Sequence, residues 1–277
     1  MKTPLAYELV PYPGDISESV RLPLWPETKR GTPNSLLRSA LFTATQGKER
    51  RWMKEELVAS LKDTTIYFTG QQLTQSDLNV WETVVHLARS HPLGTECTFT
   101  AHGLLKALGR HYGKTQREWL YATIIRLTAC MISIKRQGVG RYFGHLIEEG
   151  ATQDDDRRYH LKLNKKMIDL YGFSEWTQLD WMERSRLIKQ PLAQWLHGFW
   201  STHATPHPIG VKTLCDLCGS NIKALRNFKI HLKAALNTLV EIGFLDSYIF
   251  EQATGGELVC VKRHARPSLP APSIPDP

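Results

Sequence analysis

The segment whose residues most resemble a catalytic or ligand-binding motif is "GRHYGKT", Gly109 to Thr115. It differs from a nucleotide-binding phosphate loop, because three residues rather than four separate its first glycine from the Gly-Lys-Thr. Such a loop should also follow a buried strand, whereas residues 101–108 place leucines at helical spacing. We therefore interpret the segment as a glycine turn between two helices, where Lys114 and Thr115 contact phosphates of a DNA backbone.

The second such segment is "CDLCG", in which Cys215 and Cys218 are separated by two residues. A structural zinc site needs four ligands, and no second Cys or His pair follows at finger-like spacing. A redox role would need a strand–helix–strand setting, whereas these flanks predict helices. We interpret both cysteines as buried structural thiols and predict neither a metal nor a cofactor.

The composition favours a polyanionic partner. The 277 residues include 35 Lys and Arg against 27 Asp and Glu, which gives a net charge of +8 and a pI of about 9.2. No apolar run approaches the length of a membrane span, and the N-terminus lacks the pattern of a signal peptide. These features predict a cytoplasmic protein that has no membrane partner.

The same order of elements is predicted twice along the chain. The first copy has a helix capped by Asp77 (77–89), a strand (97–100), a short helix (101–108), a long helix (114–130) and strands around a glycine turn. The second has a helix (185–202), the extended "HPIGV", a short helix (212–217), a long helix (222–241) and a hairpin about Gly255-Gly256. Each copy follows the winged helix-turn-helix plan, in which the long helix reads DNA.

The predicted fold class is therefore α+β, mainly helical, with two tandem winged helix-turn-helix domains. We predict an extended or disordered N-terminal arm at 1–35, a first winged-helix domain at 36–170, a second at 171–266 and a proline-rich tail at 267–277. The first domain is expected to bind DNA and to dimerise, and the second to supply most of the sequence specificity. We predict that the protein is not an enzyme.

The second long helix separates its charges from its apolar residues. Phe228, Leu232 and Leu236 share one stripe with Leu225 and Leu239, whereas cations occupy the opposite face without an acid before Glu241. Cations of one sign repel each other unless a polyanion such as DNA neutralises them. We expect Ser220 or Asn221 to cap this helix. The DNA-contacting residues predicted here are Ser220, Asn221, Lys223, Arg226, Asn227, Lys229 and Lys233, of which Asn221, Lys223, Arg226 and Asn227 should reach base edges.

The first long helix and the hairpins supply further predicted contacts, mainly to the phosphate backbone. The helix and its preceding turn contribute Arg110, His111, Lys114, Thr115 and Arg117, with Arg126 farther along. The predicted wings contribute Lys135, Arg136 and Arg141 in the first copy and Lys262, Arg263 and Arg266 in the second.

Several segments resemble the TrfA family of plasmid replication initiators. These are "WPETKRGTPNSLLRSALF" (25–42), "IYFTGQQL" with "DLNVWETVVHLAR" (66–89), the frame of 108–127, and "LCGS" before the second long helix. The resemblance covers roughly residues 25–263, and its paired winged-helix architecture agrees with the pattern of elements.

The resemblance implies a mechanism. Monomers would bind directly repeated sequences, called iterons, in a plasmid origin and open adjacent AT-rich DNA. They would then recruit the host initiator, the replicative helicase and the sliding clamp. Family members also dimerise into a form that limits plasmid copy number. This makes Trp81, Val84, Val85 and the neighbouring strands candidates for a dimer interface, although the same residues suit a core equally well.

One family feature is altered. Relatives carry a glutamine-led clamp-binding pentapeptide before the first of these segments, where this chain has "ISESV". The overlapping "RLPLW" keeps the leucine and aromatic spacing without the glutamine. Leu22, Leu24 and Trp25 are therefore the candidate clamp contacts.

Three alternatives stay open on the sequence. The chain could repress a plasmid gene without initiating replication. It could be a rolling-circle relaxase, although the required His-hydrophobic-His triplet is absent. It could also be a zinc or redox protein that uses Cys215 and Cys218.

Overall fold

The computed structural model describes residues 22–46, 49–60, 64–90, 95–136, 140–153, 157–171 and 176–264. Its buried apolar side chains form two cores, one from Leu22 to Leu179 and the other from Leu187 to Val259. We call the corresponding parts of the chain the first and second units. The division falls between 179 and 187 rather than after residue 170, where the sequence had suggested a domain boundary.

The elements of the first unit are β1 (Lys29–Pro33), α1 (Asn34–Leu37), β2 (Phe42–Thr43), β3 (Trp52–Val58), β4 (Thr64–Gln71), β5 (Leu73–Thr74), α2 (Gln75–Ala88), β6 (Glu96–Thr100), α3 (Ala101–Ala107), α4 (Lys114–Ala129), β7 (Met131–Arg136), β8 (Gly140–Gly144), β9 (Ile147–Gln153), β10 (Arg158–Leu163), α5 (Lys165–Ile168) with a 3-10 turn (Asp169–Tyr171), and β11 (Trp176–Asp180).

The connection and second unit contain α6 (Trp181–Arg186), α7 (Pro191–Ser201), β12 (Ile209–Gly210), α8 (Val211–Leu217), α9 (Leu225–Glu241), β13 (Leu245–Ala253) and β14 (Gly256–Arg263). The helix predicted at 185–202 is thus two helices, and Pro191 occupies the first turn of the second, where its missing N–H costs nothing. In the described part of the chain, no helix combines the length and apolar character needed to cross a membrane.

One arrangement of strands and helices occurs in both units. In the first, β6, α3 and α4 are followed by β9 and β10, and in the second, β12, α8 and α9 are followed by β13 and β14. The sheet orders are β6-β10-β9 and β12-β14-β13, so the last strand lies in the middle of each antiparallel sheet. The repeat of elements predicted from the sequence is therefore present, with matching strand order.

A four-stranded antiparallel sheet distinguishes the first unit from the second. Its order is β3-β4-β7-β8, so the hairpin β7–β8 extends this sheet rather than pairing with β6. The assignment of Lys135, Arg136 and Arg141 to a wing was therefore wrong, because the hairpin that pairs with β6 is β9–β10. The expectation of a mainly helical protein was also wrong, since strands and helices take comparable shares of the chain.

Residues 22–35 belong to the first core rather than to an extended or disordered arm. β1 pairs with β11, about 150 residues later along the chain. Trp25 is buried and stacks on Tyr171 at 6.0 Å between ring centroids. Its ring lies 2.7 Å from where a Cβ would stand at Gly31, which explains why a glycine suits that position. Residues 1–21 and the tail 267–277 lie outside the described residues.

The Trp25 indole also joins a buried polar network. Its Nε1 donates to Nδ1 of His86 at 2.9 Å, and Nε2 of His86 donates to the exposed Glu27 carboxylate at 2.8 Å. Burial lowers the pKa of His86 to about 4, whereas hydrogen bonds from His86 and Arg89 lower the pKa of Glu27 to about 2. The imidazole is thus held neutral, as an acceptor for the indole.

Helix α2 begins one turn earlier than predicted. Thr74 is its N-cap and forms a capping box with Asp77, so Asp77 stands in the first turn and is not the cap. Trp81, Val84 and Val85 are buried in the first core at 0–1% exposure. These three residues, which were candidates for either a dimer interface or a core, therefore belong to the core.

A buried ion pair joins the two units. Arg184 of α6 lies 3.1 Å from the Glu82 carboxylate of α2, and both side chains are inaccessible to solvent. The same guanidinium donates to Asn79 and to the Gln194 carbonyl of α7. Because every contact here crosses from one element to another, Arg184 fixes how α7 packs against α2.

Candidate nucleic-acid interface

Helix α9 has one buried and one exposed face. The buried face comprises Phe228, Leu232, Ala235, Leu236 and Leu239. The exposed residues of the helix are Leu225, Arg226, Asn227, Ile230, His231, Lys233, Ala234, Asn237 and Glu241. Leu225, which was expected to point inward, is 41% exposed. The sequence therefore predicted four of the five inward positions correctly.

The start of α9 differs from the prediction. Its N-cap is Ala224, which offers no side-chain acceptor, so neither Ser220 nor Asn221 caps the helix. Ser220 instead accepts a hydrogen bond from the Ile222 N–H within the preceding turn, at 3.2 Å. Asn221 and Lys223 lie exposed in that turn. The start of α9 therefore has no side-chain cap, and an uncapped helix N-terminus suits a phosphate oxygen.

The hairpin β13–β14 holds one cation of α9. Lys229 forms an ion pair with Glu257 of β14, and its ammonium lies 4.8 Å from the ring centroid of Phe250 on β13. Lys233 lies 5.5 Å from the same ring. Lys229 is therefore partly neutralised, whereas Arg226 and Lys233 remain exposed and are the better placed to meet DNA.

The two predicted cations of β14 have different positions. Lys262 is 77% exposed. The Asp246 carboxylate lies 4.0 Å from its ammonium, at the outer limit of an ion pair, so Lys262 remains accessible. Arg263 instead donates to the carbonyls of Trp200 and His203 and lies over the Phe244 ring. Its inward orientation argues against the predicted DNA contact. Arg266 lies outside the described residues.

The turn before α4 confirms that "GRHYGKT" is a glycine turn between two helices. α3 precedes it, Gly109 adopts φ +66°, which favours glycine, and Gly113 is the N-cap of α4. Lys114 and Thr115 are exposed in the first turn, and His111 is exposed before it.

Arg110 and Arg117 are more restrained than predicted. The Arg110 guanidinium stacks 3.6 Å from the Trp119 ring centroid and donates to Gln116, and burial lowers its pKa. Arg117 is half-buried beside Tyr112. Arg126 binds the buried Asp77 carboxylate at 2.8 Å and thereby stabilises the core rather than facing solvent.

Two clefts lie on either side of the segment that connects the units. One, of about 410 Å³, is lined by His231 and Thr238 of α9, and the other, of about 610 Å³, by Arg110 and Gln116 beside α4. Lys189 and Gln46 line both clefts, and Gln46 donates to the Lys189 carbonyl at 2.9 Å. Lys189 therefore lies between the two long helices, with a positive φ of 69°.

The remaining predicted sites have simpler positions. Cys215 and Cys218 are buried, and burial raises the pKa of both thiols. Among the described residues, no group of three or more His, Cys, Asp or Glu side chains is placed to hold a metal. In the "RLPLW" segment, Leu22 and Trp25 are buried and Leu24 is 78% exposed. This burial argues against a free clamp-binding peptide at these residues.

Exposed apolar residues on the long helices were missed by sequence reasoning. Ile230 on α9 is 67% exposed, and Tyr121 and Ile125 on α4 are 41% and 47% exposed. Their spacing could have revealed them. Each lies three or four positions from a predicted DNA contact or from another exposed apolar residue, and therefore on the same face of its helix. An exposed apolar residue outside the buried stripe is a candidate for an apolar contact with a base.

The chain matches known proteins over most of its length. A family model described as TrfA protein matches residues 17–263. The plasmid replication initiator protein TrfA of Escherichia coli is 26% identical over 234 residues, which cover 80% of this chain and 59% of that protein. The chain thus matches less than two thirds of that relative.

Solved structures support the same α+β fold. Domains 2 and 3 of RctB align with a TM-score of 0.59 and 13% identity, over 85% of this chain and 99% of that one. The Pi initiator protein, solved in complex with iteron DNA, aligns with a TM-score of 0.50 and 15% identity, over 65% and 88% of the two chains. At these identities the likeness concerns the fold alone. The match of the family model over residues 17–263 establishes that this chain belongs to the TrfA family.

Proposed function

We propose that the chain is a plasmid replication initiator that binds iteron repeats in double-stranded DNA at a plasmid origin. The observation that carries this proposal is the repeated unit of strand, short helix, long helix and hairpin, with an exposed cationic face on the second long helix. Membership of the TrfA family supports it. The Pi initiator protein also supports it, because its fold is similar and its structure contains iteron DNA.

In this proposal both units are winged helix-turn-helix domains, and α4 and α9 enter successive major grooves of one duplex. Arg226, Asn227 and Lys223 read base edges at the α9 end, and Lys262 binds the phosphate backbone from the hairpin. Lys114, Thr115 and His111 bind backbone phosphates at the α4 end. Lys189 lies between the two helices, where it is placed to contact the part of the duplex between the two grooves.

The later steps follow from the same family membership. DNA-bound monomers would open an adjacent AT-rich region and recruit the host initiator, helicase and sliding clamp in the cytoplasm. The protein itself would contribute binding energy and positioning without catalysis. The burial of Leu22 and Trp25 favours a clamp contact elsewhere on the molecule.

The outer face of the four-stranded sheet is our proposed surface for self-association. Leu57, Tyr67, Ser133 and Phe143 form one row across its strands, in the registers Leu57↔Tyr67, Tyr67↔Ser133 and Ser133↔Phe143. Leu57 and Phe143 are 64% and 70% exposed, and Trp52 is 66% exposed near the edge. A row of exposed apolar residues on one sheet face suits a second copy of the chain. Sedimentation of Phe143→Asp against wild type tests this, and unchanged dimer formation would exclude the surface.

Two experiments together test the initiator function. First, footprinting on DNA beside the chain's own gene should reveal protected direct repeats. Second, an origin fragment that contains those repeats should replicate as a plasmid when the gene is supplied in trans. Protected repeats without replication would instead indicate a transcriptional repressor. Nicking of supercoiled origin DNA would indicate a relaxase and contradict the proposal.

A further inference from the structure

Ile230 is an exposed apolar residue in the centre of the cationic face of α9. It is 67% exposed, although the opposite side of the same helix already supplies the buried stripe. Arg226 and Asn227 lie one turn before it, and Lys233 and Ala234 lie one turn after it, all of them exposed. Three of these four neighbours, Arg226, Asn227 and Lys233, are residues assigned to DNA.

Solvent exposure alone does not explain an isoleucine at this position. Isolated apolar residues are common on protein surfaces, but this one interrupts a face whose other long side chains are charged or polar. An aliphatic side chain gains nothing from phosphates. The apolar group that base pairs present in the major groove is the C5-methyl of thymine.

We propose that Ile230 contacts the C5-methyl group of a thymine and is a specificity-determining residue of this protein. The inference rests on the proposed binding of α9 in the major groove and adds the base that one residue reads. Arg226, with its guanidinium, selects a base by hydrogen bonding, whereas Ile230 selects thymine by apolar contact.

The helix geometry limits where this thymine lies. Ile230 lies four positions after Arg226, which is about 6 Å along the helix axis. Base pairs are stacked about 3.4 Å apart. The thymine should therefore lie within about two base pairs of the base that Arg226 contacts.

The test uses a duplex that the full chain itself selects from a random pool, labelled for anisotropy measurements at one fixed salt concentration. Each thymine of the selected site is replaced singly by deoxyuridine, which lacks only the methyl group. At one position, wild type should lose about fourfold in affinity, equivalent to one buried methyl group at roughly 0.8 kcal/mol. Ile230→Ala should bind the thymine and deoxyuridine duplexes equally at that position.

Two control variants separate a specific contact from general damage. Ile230→Val keeps a branched methyl group and should retain about half or more of the thymine preference. Ile249→Ala removes an isoleucine that is 55% exposed on β13 and alternates in direction with Phe250, so it faces away from α9. It should respond to deoxyuridine at that position as wild type does.

The outcomes distinguish this inference from the proposed function. Failure to select any sequence would contradict sequence-specific DNA binding as a whole. Selection of a site at which Ile230→Ala and wild type respond alike to every deoxyuridine would overturn the role of Ile230 alone. Loss of the methyl effect at one thymine, with normal responses at the others, would support it.

Discussion

The long helices of the two units have the same place in the fold but different surfaces. α9 exposes Arg226 and Lys233 with two asparagines and an isoleucine. α4 exposes Lys114, but Glu118 lies 4.0 Å away and is itself exposed, and Tyr121 and Ile125 follow. The first helix therefore carries a mixed face, and only the second is distinctly cationic.

This difference suggests a division of labour between the units. The first unit uses several arginines internally, since Arg50 and Arg126 both bind Asp77 and Arg110 stacks on Trp119. The second unit leaves most cations of its long helix exposed. We therefore expect α9 to provide most of the sequence discrimination, and the first unit to provide orientation and self-association.

The largest expected effect concerns the coupling of the two units. Arg184→Met leaves the Glu82 carboxylate buried without its cation and should lower the free energy of unfolding by about 3–5 kcal/mol. Urea denaturation measures this, with the exposed Arg186→Met as the matched control. The double variant Arg184→Met, Glu82→Leu should recover most of the loss. A single variant as stable as wild type would show that the pair does not join the units.

The second effect is specific to the first unit and depends on pH. His86 takes up a proton at its ordinary pKa of 6.5 when unfolded, but only at about 4 when folded. The unfolded chain therefore binds more protons between pH 6.5 and 4, and stability should fall as the pH decreases through this window, by on the order of 3 kcal/mol. Denaturation curves measured across the window test this.

Variants assign that pH dependence to one histidine. His86→Gln keeps a donor and an acceptor but cannot titrate, so its share of the fall should disappear and that of His203, whose pKa burial also lowers, should remain. His207→Gln, at an exposed position, should retain it. A wild-type slope in His86→Gln would contradict the assignment.

The third effect tests the comparison of the two helices directly. Arg226→Ala should cost about 1–3 kcal/mol on the cognate repeat and relax base preference at one position. Lys114→Ala should lower the affinity for every sequence by about the same factor, because Lys114 contacts a phosphate. This factor should be smaller than the loss caused by Arg226→Ala on the cognate repeat. Binding to a panel of single-base variants of the repeat measures both. If Lys114→Ala altered base preference and Arg226→Ala did not, the proposed roles of the helices would be reversed.

The smallest effect concerns the hairpin of the second unit. Lys262→Ala should reduce the dependence of log affinity on log salt by about one unit without changing sequence preference. Arg263→Ala should instead leave the salt dependence unchanged and destabilise the fold, because its guanidinium binds the Trp200 and His203 carbonyls. Salt titrations and thermal unfolding separate the two. Equal salt slopes for Lys262→Ala and wild type would exclude the backbone contact.

The sequence predicted features that depend on local pattern. The repeated order of elements follows from apolar periodicity and from glycine turns, which are encoded within a few residues. Phe228, Leu232 and Leu236 were placed correctly for that reason. The start of α9 was missed because Ala224 carries no capping side chain, so the nearest Ser and Asn looked like the cap.

Features that depend on distant partners could not be predicted. The hairpin β7–β8 pairs with β4, about 60 residues earlier, and nothing within its own sequence selects that partner over β6. Trp25 lies between prolines and resembles a coil, but Tyr171 and Trp176 bury it from the other end of the unit. Arg126 shows the same limit, since its partner Asp77 lies 49 residues away.

The ion pair between Lys229 and Glu257, with Phe250 beside the lysine, links helix α9 to the hairpin β13–β14 within the folded chain. If DNA binds as proposed, a duplex that contacts the helix would find the hairpin already at a fixed spacing. The entropy of ordering the hairpin is lost during folding and is not subtracted again from the binding free energy.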